Sequence, residues 1–353
     1  MSGPATGRPA RIGDVARVAG VSVPTVSRVL TGAAKVSPER RRRVLEAIEE
    51  LSYRPNAAAR ALVTGRADII AVMTSETSNH GYSMTLRGIE TAARAAGFHV
   101  VISVVDSPAR AEVSRAVDLV LGHALAGVIV LKFDPTGVEA VAALPDDVPV
   151  VQVSGEVDGR RPQAVLDEEA GGHDITAYLL GLGHRTVHHV SVPPSRAEDG
   201  RTTGWRRALT DARAPVPDIL PATFAAASGV PIGWQISTMP EVTAVFCGND
   251  EVAMGVVSGL ADAGLAVPGD MSVVGFDDHP LATIWRPALT TVAQDFERLG
   301  ERAFDLLAAR MAGGTEATLS SERPELQVRH SAGPPAVRKG VRRAPARRAA
   351  ARA

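Results

Sequence analysis

At 353 residues, 45% of them hydrophobic, the chain is long enough for two or three globular domains. No run of about 18 apolar residues occurs, which argues against a membrane span. The single cysteine, Cys247, excludes an internal disulfide and a multi-cysteine metal site. The net charge of −1 conceals opposed parts. Residues 8–66 hold 12 Arg and Lys against 5 acids, a charge of +7, and residues 334–353 hold 7 basic residues and no acid, again +7, which leaves −15 for the rest. A basic N-terminal segment on an acidic body confines a nucleic-acid footprint to one end. The first ten residues lack the apolar core of a signal peptide, so a cytoplasmic protein is expected.

Residues 11–30 read as two short helices joined by a tight turn. Ile12, Val15, Ala16 and Ala19 recur at helical spacing. Gly20 follows, where a helix end needs a left-handed residue. Ser22 is a good N-cap for a second helix, and Pro24 falls in its first turn, where the missing N–H costs nothing. Val26, Val29 and Leu30 face inward, whereas Thr25, Ser27 and Arg28 stay outside with Val23 and Pro24 at the leading end. This is the pattern of a DNA-binding helix-turn-helix, with a plain αα-hairpin as the alternative. Ser37-Pro38-Glu39 then opens a third helix with an apolar stripe of Val44, Leu45, Ile48 and Leu51. Pro55 ends it, and Asn56 caps an Ala-rich segment reaching Gly65 that is too short to be a stable helix alone.

From Asp68 the pattern changes. Apolar runs at 69–73, 99–105, 127–131 and 148–153 alternate with helices at 84–96 and 109–121 and a short third one. A second series follows: helices at 170–182, 198–212, 251–263 and 296–311, with strands at 186–190, 242–247 and 272–276. Such alternation makes parallel sheets covered by helices, here two α/β lobes with a cleft between them. Ligands in such folds bind at the carboxyl ends of the strands. Residues 312–324 read as irregular, 326–329 as a last strand, and the Pro/Ala/Arg run beyond Gly333 as disordered.

Several uncommon words then stand in one order. They are Asp14-Val-Ala-Arg-Val-Ala-Gly-Val-Ser22, Thr25-Val-Ser-Arg-Val-Leu30, Tyr53-Arg-Pro-Asn56, Leu86-Arg-Gly-Ile-Glu90, Gly248-Asn-Asp250 and Ser272-Val-Val-Gly-Phe-Asp-Asp278. On these the chain resembles the lactose-repressor (LacI/GalR) family of bacterial transcription regulators, from Arg11 to about Arg329. The resemblance implies an all-α helix-turn-helix headpiece plus an α/β core of two doubly wound lobes like a periplasmic sugar-binding protein. The expected divisions are a disordered start at 1–9, a headpiece at 10–54, a hinge at 55–66, a core at 67–333 and a disordered basic tail at 334–353.

The implied function is that of a repressor, acting as a homodimer on palindromic double-stranded operator DNA and released by a small-molecule effector, a sugar. Val23, Pro24, Thr25, Ser27 and Arg28 fall where the family contacts DNA, with Arg28 suited to guanine and Val23 or Pro24 to a thymine methyl. Asn56 belongs to the hinge, and Leu62 falls on the leucine that wedges between the central base pairs. The implied effector positions are Arg201, Asn249 and Asp277, converging in a closed cleft lined by Phe224 and Phe276. Asn249 and Asp277 have a second reading as caps of helices or turns. Some positions depart from the family: Arg11 replaces a Thr N-cap, and Asp167-Glu168 replaces Asp-Asn. Val230-Pro-Ile-Gly-Trp234 puts Pro and Gly where a helix is usual, and Glu251 stands where some sugar binders have Gln.

A corepressor-dependent regulator binding a purine or other small metabolite is the first alternative, and a solute-binding protein without DNA function the second. No cofactor, metal or catalytic residue is expected. His188-His189 point to opposite faces of a strand, and no HExxH, P-loop or GxSxG pattern occurs.

Overall fold

A computed structural model describes residues 10–30, 36–53, 67–159, 161–194, 198–314 and 319–336. The start at 1–9, the expected hinge at 55–66 with Asn56 and Leu62, and the tail from 337 onward lie outside the described residues. The chain forms two compact units that divide near Asp68.

The N-terminal unit holds α1 (Ile12–Ala19), α2 (Val23–Leu30) and α3 (Pro38–Glu50). Val15, Val26 and Val44, one from each helix, are fully buried at its centre. Gly20 ends α1 at φ 62°, and the Val21 N–H reaches back to the Ala16 carbonyl at 3.0 Å. Arg11 offers no acceptor for a cap. The start of α1 is closed instead by Asp14, whose carboxylate accepts the Arg11 backbone N–H at 3.0 Å. The Ser22 carbonyl takes the first N–H bonds of α2, while its hydroxyl lies 2.9 Å from that of Thr25. One expectation fails on α3: Leu45 is 51% exposed, and Ala47 is buried in its place. The inner stripe is Val44, Ala47, Ile48 and Leu51, the i, i+3, i+4, i+7 spacing of one helix face.

The larger unit contains two lobes. The first has the six-stranded parallel sheet β11-β5-β4-β3-β1-β2. These are β1 (Ile69–Thr74), β2 (His99–Val104), β3 (Gly127–Leu131), β4 (Val150–Ser154), β5 (Gln163–Leu166) and β11 (Leu319–Glu322). Every residue of β3, β4 and β5 is buried, as central strands covered on both faces require. The covering helices include α4 (His80–Ala95), α5 (Arg110–Leu121), α6 (Pro135–Ala143) and α11 (Phe296–Met311).

The second lobe has the parallel sheet β7-β6-β8-β9, made of β6 (His188–Ser191), β7 (Leu220–Pro221), β8 (Ala244–Cys247) and β9 (Ser272–Val274). A short antiparallel pair, β10 (Thr291–Ala293) with β12 (Glu325–Gln327), lies beside it. Its helices are α7 (Glu168–Gly181), α8 (Gly200–Asp211), α9 (Ala226–Ser237) and α10 (Asp250–Asp262).

The lobes are not simply consecutive in the chain. It passes between them after β5, again after β10, and a third time between β11 and β12. The stretch read as irregular, 312–324, thus supplies a strand of the first lobe: β11 pairs in parallel with β5, Leu319 opposite Gln163. The segment 230–234 is helical despite Pro231, an interior proline that ordinarily costs about 3 kcal/mol. Tight packing accounts for it, since Gly229 and Gly233 of α9 meet Gly255 and Gly259 of α10. A Cβ on Gly255 would sit 1.9 Å from the Ala226 carbonyl oxygen. No helix among the described residues is long and apolar enough to cross a membrane.

Candidate functional site

The described residues expected to contact DNA and effector fall on two surfaces, one in each compact unit. On the N-terminal unit, α2 presents Val23, Pro24 and Arg28 to solvent, with Thr25 and Ser27 half-buried beneath them. Val23 is 42% exposed, a large apolar side chain at the leading end of a helix whose other valines are buried. Acids take up part of the surrounding positive charge: Arg17 pairs with Asp14, and Arg42 with Glu46 at 2.7 Å. The helix therefore offers one cation and two apolar contacts at its outer face. That set suits a base edge and a methyl group better than a second protein helix.

In the larger unit a cavity of about 630 Å³, its mouth included, lies between the lobes. The segments after β1, β3 and β4 form one wall and those after β6, β8 and β9 the other, so the site stands at the carboxyl ends of both sheets. Arg201 dominates its floor. The guanidinium donates to the Gly248 carbonyl and to Glu168 at 2.7 Å, lies 3.3 Å from Asp277, and stacks 4.6 Å above the Phe276 ring. Burial works against its charge, but Asp277 and Glu168 outweigh burial and its pKa is raised. Glu168 shows the opposite balance. Burial, helped by Asp199 and Asp277, outweighs Arg201 and lifts its carboxyl above the ordinary value.

Asn249 caps α10, accepting the Val252 N–H at 2.8 Å, and its amide donates to the Phe224 carbonyl at 3.1 Å. The cap reading of this residue thus holds, and the same side chain lies in the cavity wall. Among the described residues the Asp277 carboxylate accepts no backbone N–H and so caps no helix or turn. The residue sits at φ 103°, accepts from Gln294 at 2.8 Å and faces Arg201.

Two expectations are corrected. Phe276 does not line the cleft: its ring is fully buried under Arg201 and packs on Phe246, 6.0 Å away between centroids. The aromatic wall is formed by Phe224 with Tyr82 and Phe133, neither of which the sequence singled out. Tyr82 stands edge-to-face with both, at 6.4 Å and 5.2 Å. Nor do Arg201, Asn249 and Asp277 need cleft closure to converge, because all three belong to the second lobe. Glu168 and Glu251 also line the cavity. Both had stood out as departures in the sequence, which was the signal available. His189 serves packing: it is buried between Phe246 and Trp205 and bonds the Phe246 carbonyl at 3.0 Å. Among the described residues no three His, Cys, Asp or Glu side chains are grouped as metal ligands.

Comparison with known proteins gives these surfaces a context. Residues 11–56 match the model for bacterial regulatory proteins of the lacI family, and residues 176–332 match that for a periplasmic binding protein-like domain. Catabolite control protein A of Priestia megaterium is 35% identical over 306 residues, covering 84% of this chain and 91% of that protein. The HTH-type transcriptional repressor PurR of Vibrio parahaemolyticus is 31% identical over 332 residues, 91% of this chain and 98% of that one. Among solved structures, a lac repressor dimer bound to operator and the anti-inducer ONPF superposes with a TM-score of 0.85 at 30% identity, covering 92% of this chain and 100% of its own. A complex of the transcriptional regulator CelR with cellobiose gives 0.67 at 29% identity, covering 91% and 99%.

Proposed function

The chain belongs to the lacI family of bacterial regulatory proteins and is a DNA-binding transcriptional regulator, and we propose that it is a repressor of a carbohydrate-utilisation operon, released from a palindromic operator by a sugar. It acts as a homodimer in the cytoplasm, α2 of each protomer enters a major groove, and Leu62 of each hinge enters the minor groove at the operator centre. The observation that carries the sugar assignment is the wall of the cleft. Buried charged groups there hold pairs of acceptors and donors, and Phe224, Tyr82 and Phe133 supply aromatic surface. Polyols are recognised by this combination, hydroxyls bonded in pairs and the ring's apolar face covered. The relatives leave the choice between sugar and purine open, since one solved neighbour holds cellobiose and another relative is named PurR.

The cleft also offers a route for the signal. Glu168 opens α7 just after the first passage between lobes, and Gln294 lies on the second. Both bond to the Arg201–Asp277 pair. A ligand that rearranges this pair acts on segments where any change of angle between the lobes must be absorbed. It shifts the balance of lobe arrangements only by its difference in affinity for them.

Titration of promoter DNA upstream of the chain's own gene tests the DNA-binding half. Arg28→Ala is expected to lose about 1–3 kcal/mol on the specific site, the worth of one bidentate base contact. Binding to random DNA of equal length changes much less. An equal fall on both would make Arg28 a phosphate contact and remove it from base readout.

A further inference from the structure

The cleft carries more acid than sugar binding requires. Glu156, Glu168, Asp199, Glu251 and Asp277 line it, against Arg201 and Lys132. Both of those cations are already paired: Arg201 with Glu168 and Asp277, and Lys132 with Asp158 at 2.6 Å. Most of the acids are also occupied within the protein, Asp199 for example capping α8 by accepting the Thr202 N–H at 2.7 Å. The Oε2 of Glu251 is buried in the cavity wall without a hydrogen-bond partner among the described residues, at a cost that a donor from a ligand would relieve.

We infer that the effector carries no anionic group, that it donates a hydroxyl or ammonium hydrogen to Glu251, and that Glu251 sets this selectivity. The inference rests on the reading of the cleft as the effector site. An incoming phosphate or carboxylate would meet five acids and, among the described residues, find both Arg201 and Lys132 already paired with carboxylates. Its desolvation would go uncompensated. An amine in place of a hydroxyl gains instead a charge-assisted bond, roughly twice as strong as a neutral one. Burial, with the Asp277 charge adding to it and Arg201 opposing, pushes the Glu251 carboxyl up to about 7, so a cationic donor also draws this group into its charged form.

The test is a thermal-shift and calorimetry panel on the full chain. It uses matched sets of glucose, galactose, ribose and cellobiose with their amino, phosphate and carboxylate derivatives, and hypoxanthine and guanine beside them. A neutral or amine-bearing sugar should raise the melting temperature, its phosphate and carboxylate derivatives should not, and the amine should bind at least as tightly as its parent. Glu251→Gln should cut affinity for the amine roughly tenfold and that for the neutral parent far less. A phosphorylated or carboxylated member binding more tightly than its parent overturns the inference while leaving the sugar reading intact. Binding confined to the purines overturns the sugar reading alone, provided Glu251→Gln weakens it; purine binding indifferent to that change overturns both. A panel without any neutral or amine-bearing binder overturns the inference as well.

Discussion

Replacing Arg201 with alanine should unfold the core more readily than any other single change in the cleft, by about 3–5 kcal/mol, and abolish the response to effector. The reason is what it leaves behind. Glu168 and Asp277 are both buried, and each is held by the same guanidinium, at 2.7 Å and 3.3 Å. Without Arg201 two carboxylates face each other in a medium that solvates neither, and the Gly248 carbonyl and the Phe276 ring lose the group bonded to or stacked on them. The pH dependence has a definite sign. The Glu168 carboxyl already stands above its ordinary value through burial. A carboxyl raised in the folded state destabilises that state above its unfolded pKa and ceases to do so as pH falls. Loss of Arg201 enlarges that shift, so the deficit of the variant should be greatest near neutral pH and shrink toward pH 5. Chemical denaturation of both proteins at the two pH values checks this. A deficit that grows on acidification contradicts it.

Asp277→Asn should leave a folded, operator-binding protein that its effector releases poorly. Asparagine suits this position better than alanine, because it tolerates the left-handed backbone at φ 103° and keeps an acceptor for Gln294. What it loses is the charge facing Arg201 and the cavity. A hydrogen bond to a charged group contributes about 1.5–3 kcal/mol, so effector affinity should fall roughly 10- to 150-fold. Operator affinity without effector should stay within about twofold, since Asp277 and α2 belong to different compact units. Release at the wild-type ligand concentration would show that Asp277 makes no contact of consequence with the effector.

How much of this was legible beforehand depended on what each element needs from its neighbours. The helix Phe296–Met311 and the strand Gly127–Leu131 are readable to the residue, because apolar periodicity and flanking breakers define them locally. Strand β11 is not. Its sequence, Leu-Ser-Ser-Glu, has no apolar run, and it is a strand only because β5 lies open to receive it at the sheet edge. The return of α11 to the first lobe is equally invisible, since a helical stripe does not say which sheet it will cover.

The site divides in the same way. Arg201, Phe224, Asn249 and Asp277 could be placed by resemblance, and all four lie in the cavity wall. Phe276 shares the word Gly-Phe-Asp-Asp with Asp277 but points into the core, a distinction that only side-chain direction resolves. Tyr82 and Phe133 come from the opposite lobe and join the wall through tertiary packing alone.

A sugar in this cleft should loosen the protein from its operator, which an anisotropy titration of labelled operator with wild-type protein would read, at fixed salt, with and without a saturating amount of the sugar found by the ligand panel. Operator affinity should be at least tenfold weaker with sugar present and, by reciprocity of coupled binding, sugar affinity should be weaker by the same factor on the operator complex. Operator affinity that is unchanged, or tightened, by the bound ligand would contradict it, and the tightened case would make the protein a corepressor-dependent regulator instead.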